Sequence, residues 1–429
     1  MHILNCGDAD HFSRRNVLKL MGLSGLAWLT RAGERSALVG ENQSGGKAKS
    51  LILLWLDGGN SQLETFDPHA GSSIAQGTES IDTNVKGIQL GIDLPRIAEQ
   101  MDSISIVRNV VSKEGDHERA NYNVKTGYRP DPTLVHPSIG AVLTHQLPRG
   151  KTEIPRHVSI LPAQWPGRGG YLGDRYDAFK TGDPNSPIPD VTRRVSDERY
   201  DRRLDSVSFL DAQFSRGRLM NLEKNRTLQK TTIDQSVKMM SSEQLSAFDV
   251  SDVPKAERLA FGDTAFGRGC LAAARLVEVG VRCVEVTLGG WDVAHVSNHP
   301  VHRNLNETLD PAFAGLIEYL KQRDQLRDTI VLCCGEFGRT PNMNPSGGRD
   351  HWPHGFSVAL AGGGIEGGRV IGETDPEGSK IAFKDGTPVA DVHATIMQAM
   401  GIDYAFELDT PVNRPMKISE GNPIDSLFA

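Results

Sequence analysis

The 429-residue chain has little cysteine, five residues in all, and no Cys-x-x-Cys pair. That excludes a thiolate zinc finger, a dithiol redox centre and a disulfide-stapled scaffold. Cys6 precedes an export-type segment. Cys333 and Cys334 sit inside an apolar run where adjacent side chains point to opposite faces, so they are expected as buried thiols, and a bridge between Cys270 and Cys283 is left open. Positive charge is also in deficit: 47 Lys and Arg stand against 54 Asp and Glu, a net charge of −7. Without a basic footprint, a polynucleotide backbone is excluded as partner, whereas a small anion held locally is not. No apolar run reaches the roughly 20 residues a bilayer span requires, so no stable membrane span is expected in the mature chain. With 38% apolar residues, the chain can still build a substantial core.

Near the N-terminus, Ser13-Arg14-Arg15-Asn16-Val17-Leu18-Lys19 precedes a short, weakly apolar stretch at 20–29 and then Arg31. This pattern is read as a twin-arginine signal, with the twin-arginine export machinery as partner and a periplasmic or cell-surface destination. The expected organisation is a signal and linker over 1–46 and one domain over 47–429.

Strand-like apolar runs fall at 50–56, 103–107, 157–161, 281–287, 329–334 and 356–361, separated by helix-like patterns at 94–101, 118–125, 138–146, 256–279, 311–326 and 392–400. Continuous apolar strands alternating with helices predict an α/β three-layer sandwich, its mostly parallel central sheet covered on both faces. Residues 167–253 open rich in glycine and proline and then become charged and weakly periodic. They are expected to form a helical insertion beside or over the mouth of the site.

Three of the runs end in potential metal ligands. TIVLCCGEFGRTPNMNPSGGRDHWPHG at 329–355 supplies Glu336, Asp350, His351 and His354. LWLDGGNSQ at 54–62 supplies Asp57, and GGWDVAHVSNHP at 289–300 supplies Asp292 and His295, with His299 and His302 as competitors. Parallel sheets bind ligands outside the carboxyl ends of their strands, and mixed carboxylate and imidazole donors suit one or two divalent ions, zinc or manganese ahead of calcium or magnesium. Arg339 is the natural partner for a phosphate or sulfate oxyanion, because guanidinium binds such groups bidentately. Asn60 and Ser61 are candidates to line the pocket. Blander readings stand beside these. Asp57 before Gly-Gly is ordinary turn chemistry, Glu336 and Arg339 are a potential ion pair, Asp116, His117 and Glu118 suit a helix N-terminus, and His393 reads as structural.

The segments LWLDGGNSQLETFDPHAG, GGWDVAH, GEFGRTPNMNPSGGRDHWPHG and VADVHATIMQAMGID, in this order, resemble the exported family called domain of unknown function 1501, a relative of the alkaline phosphatase and sulfatase superfamily. The resemblance covers about 50–403 and implies an alkaline-phosphatase-like fold. It implies metal ligation by Asp57, Asp292 and His295. It puts Glu336 where the superfamily usually has Asp and Phe337 where it has His, leaving Asp350, His351 or His354 to replace that ligand. The superfamily's nucleophile lies ten residues before the Gly of a Thr-Gly-x-x-Pro motif, and ten positions ahead of Gly127 stands His117. No hydroxyl or thiol is there, so formylglycine chemistry is excluded, and a serine-type mechanism would need Ser61, Thr65 or Ser112. His117 is read as metal ligand or general acid ahead of nucleophile. The implied activity is metal-dependent hydrolysis of phosphate or sulfate esters, on a small anionic ester or a sulfated or phosphorylated glycan. The alternative is a non-catalytic, metal-containing cell-envelope binding protein.

Overall fold

The structure, a computed structural model, describes residues 48–215, 228–374 and 386–428. The export signal expected over 1–46 lies outside the described residues.

Among the described residues, nine strands form the central sheet: β1 (Ser50–Asp57), β2 (Ile104–Val111), β3 (His157–Ile160), β4 (Phe179–Thr181), β5 (Cys283–Gly289), β6 (Thr329–Cys334), β7 (Phe356–Ala361), β8 (Val370–Ile371) and β9 (Thr387–Pro388). Their spatial order is β8-β2-β7-β6-β1-β5-β3-β4, with β9 also paired to β2. All pairings are parallel except those of β7, which runs against both β6 and β2. The expected α/β architecture is therefore observed, with one reversed strand inside a mostly parallel sheet.

Alternation along β1 explains the layering. Ile52, Leu54 and Leu56 join one core with α3 (Ala265–Glu278) and α4 (Asn298–Gln322), while Leu51, Leu53 and Trp55 join a second with α2 (Ile139–Gln146) and α5 (Val389–Ala399). Each fully buried Leu, Ile or Val contributes roughly 1.5–3 kcal/mol, against roughly 0–1 for an exposed pair such as Lys49 with Asp328, so the two cores dominate. Cys333 and Cys334 divide between the cores, and Cys270, Cys283, Cys333 and Cys334 are all free and buried, so no bridge joins Cys270 to Cys283.

Two predicted helices differ instructively. The pattern at 256–279 is split into Lys255–Ala260 and α3, because Gly262 takes positive φ and Thr264 caps α3 by accepting from Gly267 N at 3.0 Å. The helix expected to open at Pro311 instead runs through it as α4, whose face on both sides of the proline, Leu309, Phe313 and Leu316, is fully buried. Tertiary burial outweighs one lost hydrogen bond there.

The stretch 167–253 contributes β4 to the sheet edge and two helices, Asp197–Ser215 and Leu228–Met240. Its last part does not cover the strand ends bearing the ligands. Gln244 Oε1 accepts from Glu153 N, and Ser246 O from Arg275 at the end of α3, contacts at the opposite, amino-terminal edge of the sheet. Among the described residues, no helix is long and apolar enough to cross a membrane.

Candidate metal centre

The site forms where β1, β5 and β6 end side by side. Asp57 closes β1 in register with Gly289 at the end of β5. Gly58 and Gly59 follow with φ of 109° and 76°, and a Cβ on Gly58 would strike the backbone N of Asp292, one on Gly59 the ring of Phe337. The glycines thus let the β1 loop touch both the Trp291–His295 turn after β5 and the segment after β6. A fourth element, α1 (His117–Thr126), points its N-terminus at the same place. Asp116 caps it, accepting from Arg119 N at 3.2 Å, and Gly127 ends it in the left-handed conformation.

Three imidazoles converge on one carboxylate oxygen. Asp292 Oδ1 lies 3.1 Å from His117 Nε2, 3.0 Å from His295 Nε2 and 3.1 Å from His351 Nε2. Each ring has its other nitrogen next to an oxygen: His117 Nδ1 to Glu336 Oε1 at 2.8 Å, His351 Nδ1 to the carbonyl of Gly115 at 2.8 Å, and His295 Nδ1 to Asp350 Oδ1 at 3.3 Å. A neutral imidazole has a single N–H. With Nδ1–H donated in each ring, three Nε2 lone pairs and an anionic oxygen face one another, and His295 Nε2 stands only 2.9 Å from His351 Nε2. Such an arrangement is repulsive until a cation sits among the lone pairs. The donor set therefore fits a divalent transition metal, with carboxylates and a carbonyl orienting the imidazoles from outside. Ligand atoms of His117, Asp292 and His351 all lie within 4.8 Å of one another, the one such group among the described residues.

Burial opposes ionisation of Asp292, but its contacts with His351 and Arg339 and the proximity of His117 bring its pKa down to about 2. His117 is raised, first by its hydrogen bond to Glu336. Glu336 is itself raised by burial. Both directions favour an added proton on this pair, which a cation at His117 Nε2 would replace. His351 is lowered, chiefly by burial, which keeps its imidazole neutral.

The family model described as Protein of unknown function (DUF1501) matches residues 48–428. The chain belongs to the DUF1501 family. No curated protein matches it. Solved structures similar to it include PsFucS1 sulfatase from Pseudoalteromonas sp., at 12% identity and TM-score 0.40, covering 83% of this chain and 68% of that one. A protein in the alkaline phosphatase superfamily from Vibrio parahaemolyticus has 14% identity and TM-score 0.36, covering 84% and 68%. The C-terminal periplasmic domain of EcEptC from Escherichia coli, in complex with Zn, has 10% identity and TM-score 0.39, covering 90% and 97%.

In this DUF1501 chain the residues singled out from sequence separate into three groups. His117, Asp292, His295 and His351 meet directly, and Glu336 and Asp350 stand one hydrogen bond behind them. Asp57 is beside Glu336, but its Oδ1 accepts from the indole N–H of Trp55 at 3.1 Å. His354 is outside the cluster, edge-on to Trp352 with centroids 5.3 Å apart. Arg339 departs from the expected substrate-facing role in this conformation. Its side chain is 0% exposed and donates to the carbonyls of Gly58, Gly59, Trp291 and Arg349 and to Asp292 Oδ1. It pins the three strand-end loops together. Asn60 and Ser61 also differ from the pocket-lining expectation. Both are buried, Asn60 donating to Thr65 Oγ1 and Ser61 N to His302 Nε2.

The hydroxyls considered as nucleophiles are all engaged below the surface. Ser61 Oγ accepts from Leu63 N, Thr65 Oγ1 donates to the Ser61 carbonyl, and Ser112 Oγ donates to Asn123 Oδ1. His299 and His302 are tied to the carbonyls of Gln76 and Asn298, and buried His393 to that of Val124. Two contributors escaped sequence reasoning. Phe337 stacks on His351 with ring centroids 4.1 Å apart, so its ring becomes the wall that seats this imidazole. The Gly115 carbonyl is a backbone group, which no residue identity announces.

Proposed function

We propose that this chain is an exported, metal-dependent hydrolase of phosphate or sulfate esters, with His117, Asp292, His295 and His351 holding one divalent ion, zinc or manganese. The observation that carries the reading is the convergence of three Nε2 atoms on Asp292 Oδ1 while their Nδ1 atoms are already occupied. The chemistry such an ion supplies is acidification of water and neutralisation of charge on the ester oxygens. The residues do the rest. Glu336 and the Gly115 carbonyl lock the His117 and His351 tautomers, Asp350 steadies His295, and Arg339 fixes the loop carrying Asp292. In the balanced reaction a water oxygen bonds to phosphorus or sulfur, the ester bond to the alcohol oxygen breaks, and the water proton ends on the leaving alcohol. With the nearby hydroxyls engaged, water serves as nucleophile in place of a side chain.

Engaged hydroxyls also suit the second reading, a metal-containing cell-envelope binding protein without turnover. Chelation separates the two. Removing the metal should abolish hydrolysis of aryl phosphate or sulfate esters, and adding back zinc or manganese should restore it; metal-loaded protein inert to every ester tested would leave only the binding role. Glu336→Gln should keep the fold yet weaken metal affinity by about 10- to 100-fold in chelator competition, the usual effect of losing a carboxylate behind a ligating imidazole. Unchanged affinity would return Glu336 to a purely structural part.

A further inference from the structure

The charges around the centre point to the kind of ester it accepts, an inference that rests on the hydrolase reading above. Four carboxylates border the cluster: Asp57, Asp292, Glu336 and Asp350. Arg339, whose guanidinium touches Asp292, is sealed and otherwise turned toward backbone carbonyls, so it offers no open fork to a bound anion. Arg119 and Arg129 near α1 both lean through Nε on Glu114. Lys113 is exposed on the loop before α1. Among the described residues, the centre lacks the inward-pointing cations with which proteins usually clasp a phosphate dianion.

We propose that the site selects monoanionic tetrahedral esters, a phosphodiester or a sulfate monoester, over dianionic phosphate monoesters. A phosphate monoester carries nearly two negative charges at neutral pH, whereas each favoured class carries one, and like charge against the carboxylate wall discriminates between them. Two further features fit. Asp292 and Asp350 are 50% and 58% exposed, so the mouth is open enough for a substituted or polymeric ester. On the very turn that bears Asp292 and His295, Val293 and Val296 are 55% and 62% exposed, an apolar shoulder for an organic arm of the ester.

The test compares 4-nitrophenyl phosphate, bis(4-nitrophenyl) phosphate and 4-nitrophenyl sulfate at pH 8 with metal-loaded full-length protein, all three releasing the same alcohol. At least one monoanionic ester should exceed the monoester in kcat/KM by about tenfold or more, and which of the two does so distinguishes phosphodiester from sulfate specificity. Asp57→Asn, which removes one carboxylate outside the proposed ligand set, should raise the monoester relative to the favoured ester by about threefold or more. Equal or better turnover of the monoester would overturn the charge argument while leaving the hydrolase reading intact, and an unchanged ratio in Asp57→Asn would do the same. No turnover of any of the three would overturn both.

Discussion

Purified protein should hold close to one equivalent of divalent transition metal per chain, and Asp292→Ala should leave it nearly metal-free while still folded. Asp292 Oδ1 is the shared neighbour of three imidazole nitrogens and the one anionic atom at the centre of the cluster. Losing a carboxylate that only orients a ligand typically weakens binding by about 10- to 100-fold, so losing the anionic ligand itself should exceed that range. The side chain is half exposed, and Arg339 retains four backbone carbonyls without it, so neither a cavity nor an unpaired buried cation is created. Elemental analysis alongside circular dichroism checks both halves of the expectation. His351→Ala should behave likewise, with additional loss of the Phe337 contact. Full metal content in either variant would place the ion elsewhere.

Lys125→Met should destabilise the protein by about 3–5 kcal/mol, far more than any surface charge change. Lys125 Nζ lies 3.0 Å from Glu285 Oε1 with both side chains almost fully buried, donates to the Trp165 carbonyl and sits 4.5 Å above the Trp55 ring. Removing the lysine alone strands a carboxylate whose remaining partner among the described residues is Ser159 Oγ at 3.1 Å. The double variant Lys125→Met with Glu285→Gln removes both charges and should recover most of the loss in a urea titration, since a buried pair contributes little net stability against neutral replacements. A single variant as stable as the parent would show the pair to be dispensable. The pair also bears on function: α1 carries His117 at its start and Lys125 near its end, while β5 carries Glu285 and leads into Asp292. Locking Lys125 to Glu285 ties together the two elements that bring their ligands face to face. The double variant should therefore recover stability more completely than metal affinity.

The strand and helix pattern was readable because it is local. The runs 329–334 and 356–361 coincide with β6 and β7, and the apolar character of β1 on both faces announced a sheet covered on two sides. The donor inventory was equally open to view, since parallel strands end at one edge of the sheet and the ligand-rich segments follow strands. What local pattern could not rank was the order of residues within that inventory. Glu336 and Asp350 are chemically as good as Asp292 for binding a metal, yet one hydrogen bond each makes them supports instead. Arg339 is as good a phosphate binder in sequence as any arginine, and its loss of that role comes from being enclosed by three loops that converge only in the folded chain.

Residue identities alone therefore determined the sheet-and-helix architecture, the family and the stock of carboxylates and imidazoles, because periodicity and side-chain chemistry are carried by neighbours along the chain. Only tertiary packing decided that His117 meets Asp292 and Glu336 across roughly two hundred residues, that a backbone carbonyl orients His351, and that Ser61 and Arg339 face inward. Burial and hydrogen-bond partners at such separations follow from how α1, the β1 loop and the strand ends pack, which no short window of sequence encodes.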